Sequence, residues 1–243
     1  MQMFKRDLCK EWNIISWRCQ KEFYSKKNKV FLYNFTGSQG ESWDWVIKEY
    51  RNRHAMSKEA QIIQALYAEG LAVPKIIAAG DGHLILEYLP GKNLLTWFEE
   101  QEKEAQQPAI NEGITTVLEQ LASWLADFYN IMHRKYGYSI VLNDVNLRNF
   151  IVIEEKIFGL DFEDCCAGTK EEDLGRLCAF ILTYDPVFTF WKYQFVLAIK
   201  DIIVKKLNLS WDVVFEEIEK ELQRMSQRRQ RPDISIERIN VIK

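Results

Sequence analysis

The sequence predicts an α+β protein in two parts, strands first and helices after. Three observations predict it. Runs rich in β-branched and aromatic residues fill the stretch before Leu89-Pro90-Gly91, and that triplet breaks the pattern. Beyond it, apolar residues recur every three or four positions. The chain has 243 residues, 47% of them hydrophobic and 28% charged, which is ample for a core and excludes a disordered or low-complexity chain.

The elements follow in order. Asn13 to Cys19 and Val30 to Phe35 read as strands separated by the polar Lys26, Lys27, Asn28 and Lys29. Gly37 and Gly40 mark a turn, and Asp44 to Tyr50 is a third strand. A helix follows, with Ser57 as its expected N-cap, Ile62, Ile63, Leu66 and Tyr67 as its apolar face, and Gly70 as its stop. Lys75 to Ala79 and His83 to Tyr88 form a hairpin, because Asp81-Gly82 suits the positive φ of a tight turn. After Gly91, Ile114, Val117, Leu118, Leu121, Leu125, Phe128 and Met132 trace one face of a long helix. Short strands are expected at Asn149 to Ile153 and Lys156 to Leu160. Two more helices are expected, one through Leu174, Leu177, Cys178 and Ile181 and one from Trp211 to Met225. The division is residues 1–89, rich in strand, and residues 90–243, mainly helical.

Composition excludes several functions. Acidic and basic residues are nearly balanced, 35 against 32, so there is no basic footprint for nucleic acid. Five cysteines without a CxxC pair read as thiols in a reducing compartment. Three isolated histidines do not make a zinc site. The N-terminus has no apolar signal region, and no stretch is long enough to span a bilayer. A cytoplasmic protein without a transmembrane segment is therefore expected.

The chemistry concentrates in Leu142-Asn143-Asp144-Val145-Asn146-Leu147-Arg148-Asn149-Phe150 and in Leu160-Asp161-Phe162-Glu163. Asp144 and Asn149 lie five apart, after the long helix and before a hydrophobic strand, and a second strand ends at Asp161. Phosphoryl transfer uses such parts. One carboxylate orients the attacking hydroxyl and takes its proton, while an Asn oxygen and a second carboxylate hold the metal ions that neutralise the triphosphate. Taken alone, Asp144 or Asn149 equally fits a turn or helix cap.

In this order the residues resemble the catalytic loop and metal motif of the protein-kinase-like phosphotransferases, D-x-x-x-x-N followed by Asp-Phe. The likeness is nearest to the aminoglycoside and choline phosphotransferases and the lipopolysaccharide kinases, where an acidic residue follows the metal motif as Glu163 does here. It runs from about Asn13 to Pro186. It implies a two-lobed fold with a small β-rich nucleotide-binding lobe and a larger helical catalytic and substrate lobe. It also implies ATP and Mg2+ as cofactors, Asp144 as catalytic base, and Asn149 and Asp161 as metal ligands.

Upstream, Val46-Ile47-Lys48 resembles the V-A-I-K strand, whose lysine meets the α- and β-phosphates and is held by a helix glutamate, here Glu59. Strand alternation puts Lys48 on the same face as Val46. A solvent-facing strand lysine and a first-turn acid are the alternatives. Leu86-Glu87-Tyr88-Leu89 resembles the segment that offers backbone groups to adenine, Glu87 and Leu89 among them, and would otherwise be a last strand. Asp173 resembles an acid bracing the catalytic loop, or is a helix N-terminal acid. There are two departures. Leu142 stands where a His is expected, and Ser25 to Lys29, in the place of the phosphate loop, has no glycine.

Asp173 follows Asp161 by only twelve positions, with no Ala-Pro-Glu after it. That argues against the docking segment of a protein kinase and for a small-molecule or glycan hydroxyl as acceptor. Acids from Glu163 to Asp185 and aromatics from Tyr184 to Tyr193 are candidates for meeting that acceptor, the aromatics being the commoner core type. The alternatives are an atypical protein kinase or a pseudokinase, a nucleotide- or protein-binding module on the same scaffold.

Overall fold

The computed structural model describes residues 9–104, 110–231 and 234–243. The start of the N-terminal segment inspected for a signal, residues 1–8, therefore lies outside the described residues. The chain divides into two compact units. The first holds the described residues up to Pro90 together with Asp161–Glu163, and the second holds Gly91–Leu160 and the described residues from Asp164 onward.

The first unit is built on an antiparallel sheet in the order β1-β2-β3-β5-β4. Its strands are β1 (Ile14–Phe23), β2 (Lys29–Gly37), β3 (Ser42–Glu49), β4 (Ile76–Gly80) and β5 (His83–Glu87). Asp81 and Gly82 both take positive φ, 49° and 79°, so the β4–β5 turn uses the residues that tolerate it. Alternation along β3 sorts the side chains. Trp45 and Ile47 join Ile14, Phe35 and Ile85 in a buried cluster on one face, with Trp12 edge-on to Trp45 at 4.9 Å. Lys48, next in the strand and opposite Leu84 of β5, points to the other face and is 6% exposed.

The helix α1 (Arg53–Ala68) buries Glu59, Ala60, Ile62, Ile63 and Leu66. It begins four residues before the expected Ser57. Asn52 caps it by accepting from the backbone N–H of His54 at 2.9 Å, and Ser57 sits inside the helix. Glu59 is consequently in the second turn, reaching inward, and the dipole reading for it falls.

The second unit is mainly helical. It comprises α2 (Leu94–Glu104), α3 (Glu112–Tyr136), α4 (Lys170–Thr183), α5 (Phe190–Ile199) and α6 (Trp211–Arg229). Its short strands are β6 (Lys92–Asn93), β7 (Ile140–Val141), β8 (Phe150–Ile153), β9 (Lys156–Gly159) and β10 (Cys166–Ala167), paired β6-β8-β9 and β10-β7. The predicted apolar stripe of α3 is buried throughout, and Gly137, at φ 77°, ends the helix in the left-handed conformation. The helices α2 and α5 were not expected. They bury Leu94, Leu95, Phe98, Trp191 and Phe195, and Phe98 meets Trp191 and Phe195 edge-on. Tyr184, Phe188 and Trp191 are thereby core residues, and Phe190 is the exposed one. Among the described residues no helix is long and apolar enough to cross a membrane.

Candidate active site

In the first unit, β3 presents Lys48 and α1 presents Glu59. The Lys48 ammonium donates to Glu59 Oε2 at 2.8 Å and to Asp161 Oδ1 at 2.6 Å, and lies 4.0 Å from Glu163 Oε2. Glu59 is saturated. Its Oε2 also accepts from the Tyr50 hydroxyl at 2.7 Å, and its Oε1 accepts from the Phe162 backbone N–H at 3.3 Å. That last bond fastens the segment carrying Asp161, and Phe162 is fully buried beside it. Asp161 itself has φ 61°, a backbone conformation that a short polar residue adopts more readily than most.

Glu163 is gripped as well. Asn28 donates to its carboxylate at 2.6 Å, Lys58 donates to its backbone carbonyl at 2.7 Å, and Lys27 lies at 3.9 Å. Asn28 thus ties the glycine-free loop to Glu163. Tyr50, Asn28 and Lys58 were missed by sequence reasoning. Polar residues beside a loop or an ion pair carry no spacing of their own.

Electrostatics follow from burial. Desolvation pulls the Lys48 ammonium down, but Glu59, Asp161 and Glu163 together outweigh it and hold its pKa above the ordinary lysine value. Burial raises the Glu59 carboxyl, with Lys48 opposing. Burial and the neighbouring Glu59 push the Tyr50 phenol up, so it remains a donor.

Ligand oxygens of Glu59, Asp161 and Glu163 lie within 4.8 Å of one another. Three carboxylates against one ammonium leave an excess of negative charge, and an all-oxygen set suits a hard cation such as Mg2+ or Ca2+. Of the three, Asp161 is the accessible one, its side chain 38% exposed against 1% and 8%. The cluster fits a divalent ion held chiefly through Asp161.

In the second unit, Val145, Leu147 and Phe150 are buried and alternate with Asp144, Asn146 and Asn149, so the apolar residues anchor the loop and turn the polar ones outward. The Asp144 carboxylate receives the Asn146 amide at 3.1 Å and the Asn149 amide at 3.5 Å, and Asn149 also donates to the Asp144 carbonyl at 2.8 Å. With its nitrogen so used, Asn149 keeps its amide oxygen for another partner. Asp173 lies beneath the loop, fully buried, and accepts from the backbone N–H groups of Leu142 at 2.8 Å and Asn143 at 2.9 Å and from the Tyr129 hydroxyl at 3.0 Å. Burial pushes its carboxyl up to about 6, against the pull of those hydrogen bonds. With Leu142 in place of the expected His, the bracing falls to Asp173. Tyr184 adds a hook, its hydroxyl oxygen accepting from the Leu147 N–H at 3.2 Å.

Glu87 and Leu89 end the strand region of the first unit. The Glu87 backbone N–H donates to Lys75 at 2.9 Å and its carboxylate accepts from the Lys75 N–H at 3.1 Å, while Leu89 is buried. The structure thus brings Lys48, Glu59 and Asp161 together in one cluster and Asp144 with Asn149 in another.

The fold is similar to that of a solved amicoumacin kinase, hAmiN, in complex with AMP-PNP, Ca2+ and Ami, with a TM-score of 0.52 at 17% identity over 92% of this chain and 86% of that one. The chain has a kinase-like fold. No family model matches the sequence, and no curated protein matches it. At 17% identity the likeness is one of fold.

Proposed function

We propose that this protein is an ATP-dependent phosphotransferase that moves the γ-phosphoryl group to a hydroxyl of a small molecule or glycan. The observation that carries the reading is the buried Lys48–Glu59–Asp161 cluster. A lysine desolvated between carboxylates is costly to build, and phosphate binding gives it a use. In this reading the first unit takes the nucleotide, with Lys48 on the α- and β-phosphates, Glu59 holding Lys48, and the backbone of Glu87 and Leu89 along the adenine edge. Asp161 in the first unit and Asn149 in the second are the residues whose oxygens would serve as Mg2+ ligands. The ion, when bound, would supply positive charge against the triphosphate.

The second unit takes the acceptor. Asp144 accepts the proton of the acceptor hydroxyl as its oxygen bonds to the γ-phosphorus and the bond to the β-phosphate oxygen breaks, releasing ADP. Asn146 and Asn149, donating to that carboxylate, aim it. The solved kinase with a similar fold, bound to AMP-PNP, Ca2+ and Ami, supports a nucleotide, a divalent ion and a small acceptor as the ligand classes.

A thermal-shift titration with ATP and Mg2+, followed by ADP release across a panel of amino alcohols, aminoglycosides and sugars, tests the reading. A rise in melting temperature with turnover on at least one acceptor class is the expected result. No shift and no turnover would overturn it in favour of a protein-binding pseudokinase, the reading that Leu142 and the glycine-free Ser25–Lys29 loop favour.

A further inference from the structure

The second unit has an open cavity of about 460 Å3 lined by Tyr129, Asn130, His133, Arg134, Ser139 and Lys170. These residues come from the last turns of α3, the approach to β7 and the first residue of α4. All six side chains carry a hydrogen-bond donor and none is a carboxylate, in a chain whose acids outnumber its bases. Arg134 and Lys170 bring two positive charges. Lys170 is placed against local preference, because a cation at the first position of a helix opposes the macrodipole. Among the described residues it makes no ion pair, and its ammonium stands 5.6 Å from the centroid of the Tyr129 ring. Of the acids on the same helix turn, Glu172 is folded back to cap Thr169 at 3.0 Å, Asp173 is buried behind Tyr129, and Glu171 follows Lys170 directly.

We propose that this cavity binds a small phosphomonoester. The cations of Arg134 and Lys170 match an anionic group, and Asn130 and Ser139 supply neutral donors. The volume exceeds what a bare phosphate fills and leaves room for an organic body, with the Tyr129 ring as an apolar wall.

The site has a line to the catalytic loop. Tyr129 donates to Asp173 Oδ2, and Asp173 holds the N–H groups of Leu142 and Asn143, the two residues preceding Asp144. A ligand that fixes Tyr129 stabilises that arrangement. An effect on turnover rests on the phosphotransferase reading, but binding does not.

Calorimetric titration of the full chain with inorganic phosphate and with glucose 6-phosphate, at constant ionic strength, tests the site. Binding of both is expected, glucose 6-phosphate the tighter, and the double variant Arg134→Glu/Lys170→Glu should weaken both by about tenfold or more. A Lys205→Glu/Lys220→Glu control, changing exposed lysines elsewhere, should bind as the parent does. Amide hydrogen exchange at Leu142 and Asn143 should slow when glucose 6-phosphate is bound. No binding, a cavity variant that binds as tightly as the parent, or a control that loses as much as the cavity variant would each overturn the proposal. If the chain binds glucose 6-phosphate at this cavity but transfers no phosphoryl group, the site stands and only the phosphotransferase reading falls.

Discussion

Replacing Glu59 by Gln is the sharpest test of the cluster around Lys48. Glu59 is 1% exposed and faces only donors, Lys48 and Tyr50 at one oxygen and the Phe162 N–H at the other. A glutamine has one oxygen and one NH2 group, so either orientation sets donor against donor. With its oxygen toward Lys48, the Phe162 N–H is left without an acceptor; with its oxygen toward Phe162, the NH2 meets an ammonium that cannot accept. Removing one partner of a buried ion pair costs about 3–5 kcal/mol, and because Lys48 keeps Asp161 at 2.6 Å the lower end applies, about 3 kcal/mol. For a chain of this size that is a fall of about 6–12 °C in melting temperature. Asp201→Asn, which breaks the exposed pair with Lys205, should move it by less than about 2 °C. Scanning calorimetry or circular dichroism reads both. If Glu59→Gln melts within about 3 °C of the parent, the cluster does not hold the first unit together and the reasoning is wrong.

The other predictions concern the second unit and the proposed chemistry. Asp144→Ala should abolish phosphoryl transfer while leaving ATP affinity within about twofold, whereas Asp161→Ala should weaken Mg2+-dependent ATP binding, as turnover assays and nucleotide titrations will read. Asp173, its carboxyl raised to about 6, favours the folded state most at low pH, where it is protonated in both states, and that contribution is lost as pH rises from about 4 through about 6. The stability advantage of the parent over Asp173→Asn should therefore shrink across that window, by up to about 1.4 kcal/mol per pH unit, and stay flat above it, in denaturant titrations at successive pH values. Lys192 is fully buried between Glu102 at 3.0 Å and the carbonyls of Tyr184 and Pro186, so Lys192→Met should cost about 3–5 kcal/mol, and adding Glu102→Leu should recover part of the lost melting temperature. Gly159→Ala would drive a Cβ into the Trp124 ring and should cost about 1–3 kcal/mol in the same assay.

Much of this was legible in the sequence, because strand and helix periods leave marks every second or every third and fourth residue. Alternation alone separates Lys48 from Ile47, and a helix following β3 brings an acid such as Glu59 within reach. What was not legible had other causes. The start of α1 depends on an Asn52 side chain reaching one backbone N–H, which a serine five residues later imitates. The helix α2 opens with Leu94 and Leu95 and then turns largely polar, so its apolar face is too short to register as a period. In α5 nearly every turn is hydrophobic all round, which erases periodicity altogether. Asn28 and Tyr129 escaped notice because their importance lies in partners far along the chain, 135 residues away for Asn28 and Glu163, and Tyr184, read as an aromatic for the acceptor, instead hooks the Leu147 N–H.

The excursion at Asp161–Glu163 has a consequence for dissecting the molecule. These three residues belong with the first ninety, yet the chain on both sides of them belongs to the other unit, so the polypeptide passes between the units three times. A fragment truncated at Pro90 would keep Lys48, Glu59 and Asn28 but strand them, with an ammonium short of one of its carboxylates and an amide short of its acceptor. A gene cut at the obvious Pro-Gly boundary would therefore yield a crippled half, and exchanging modules with another protein of this fold would require transplanting that tripeptide too.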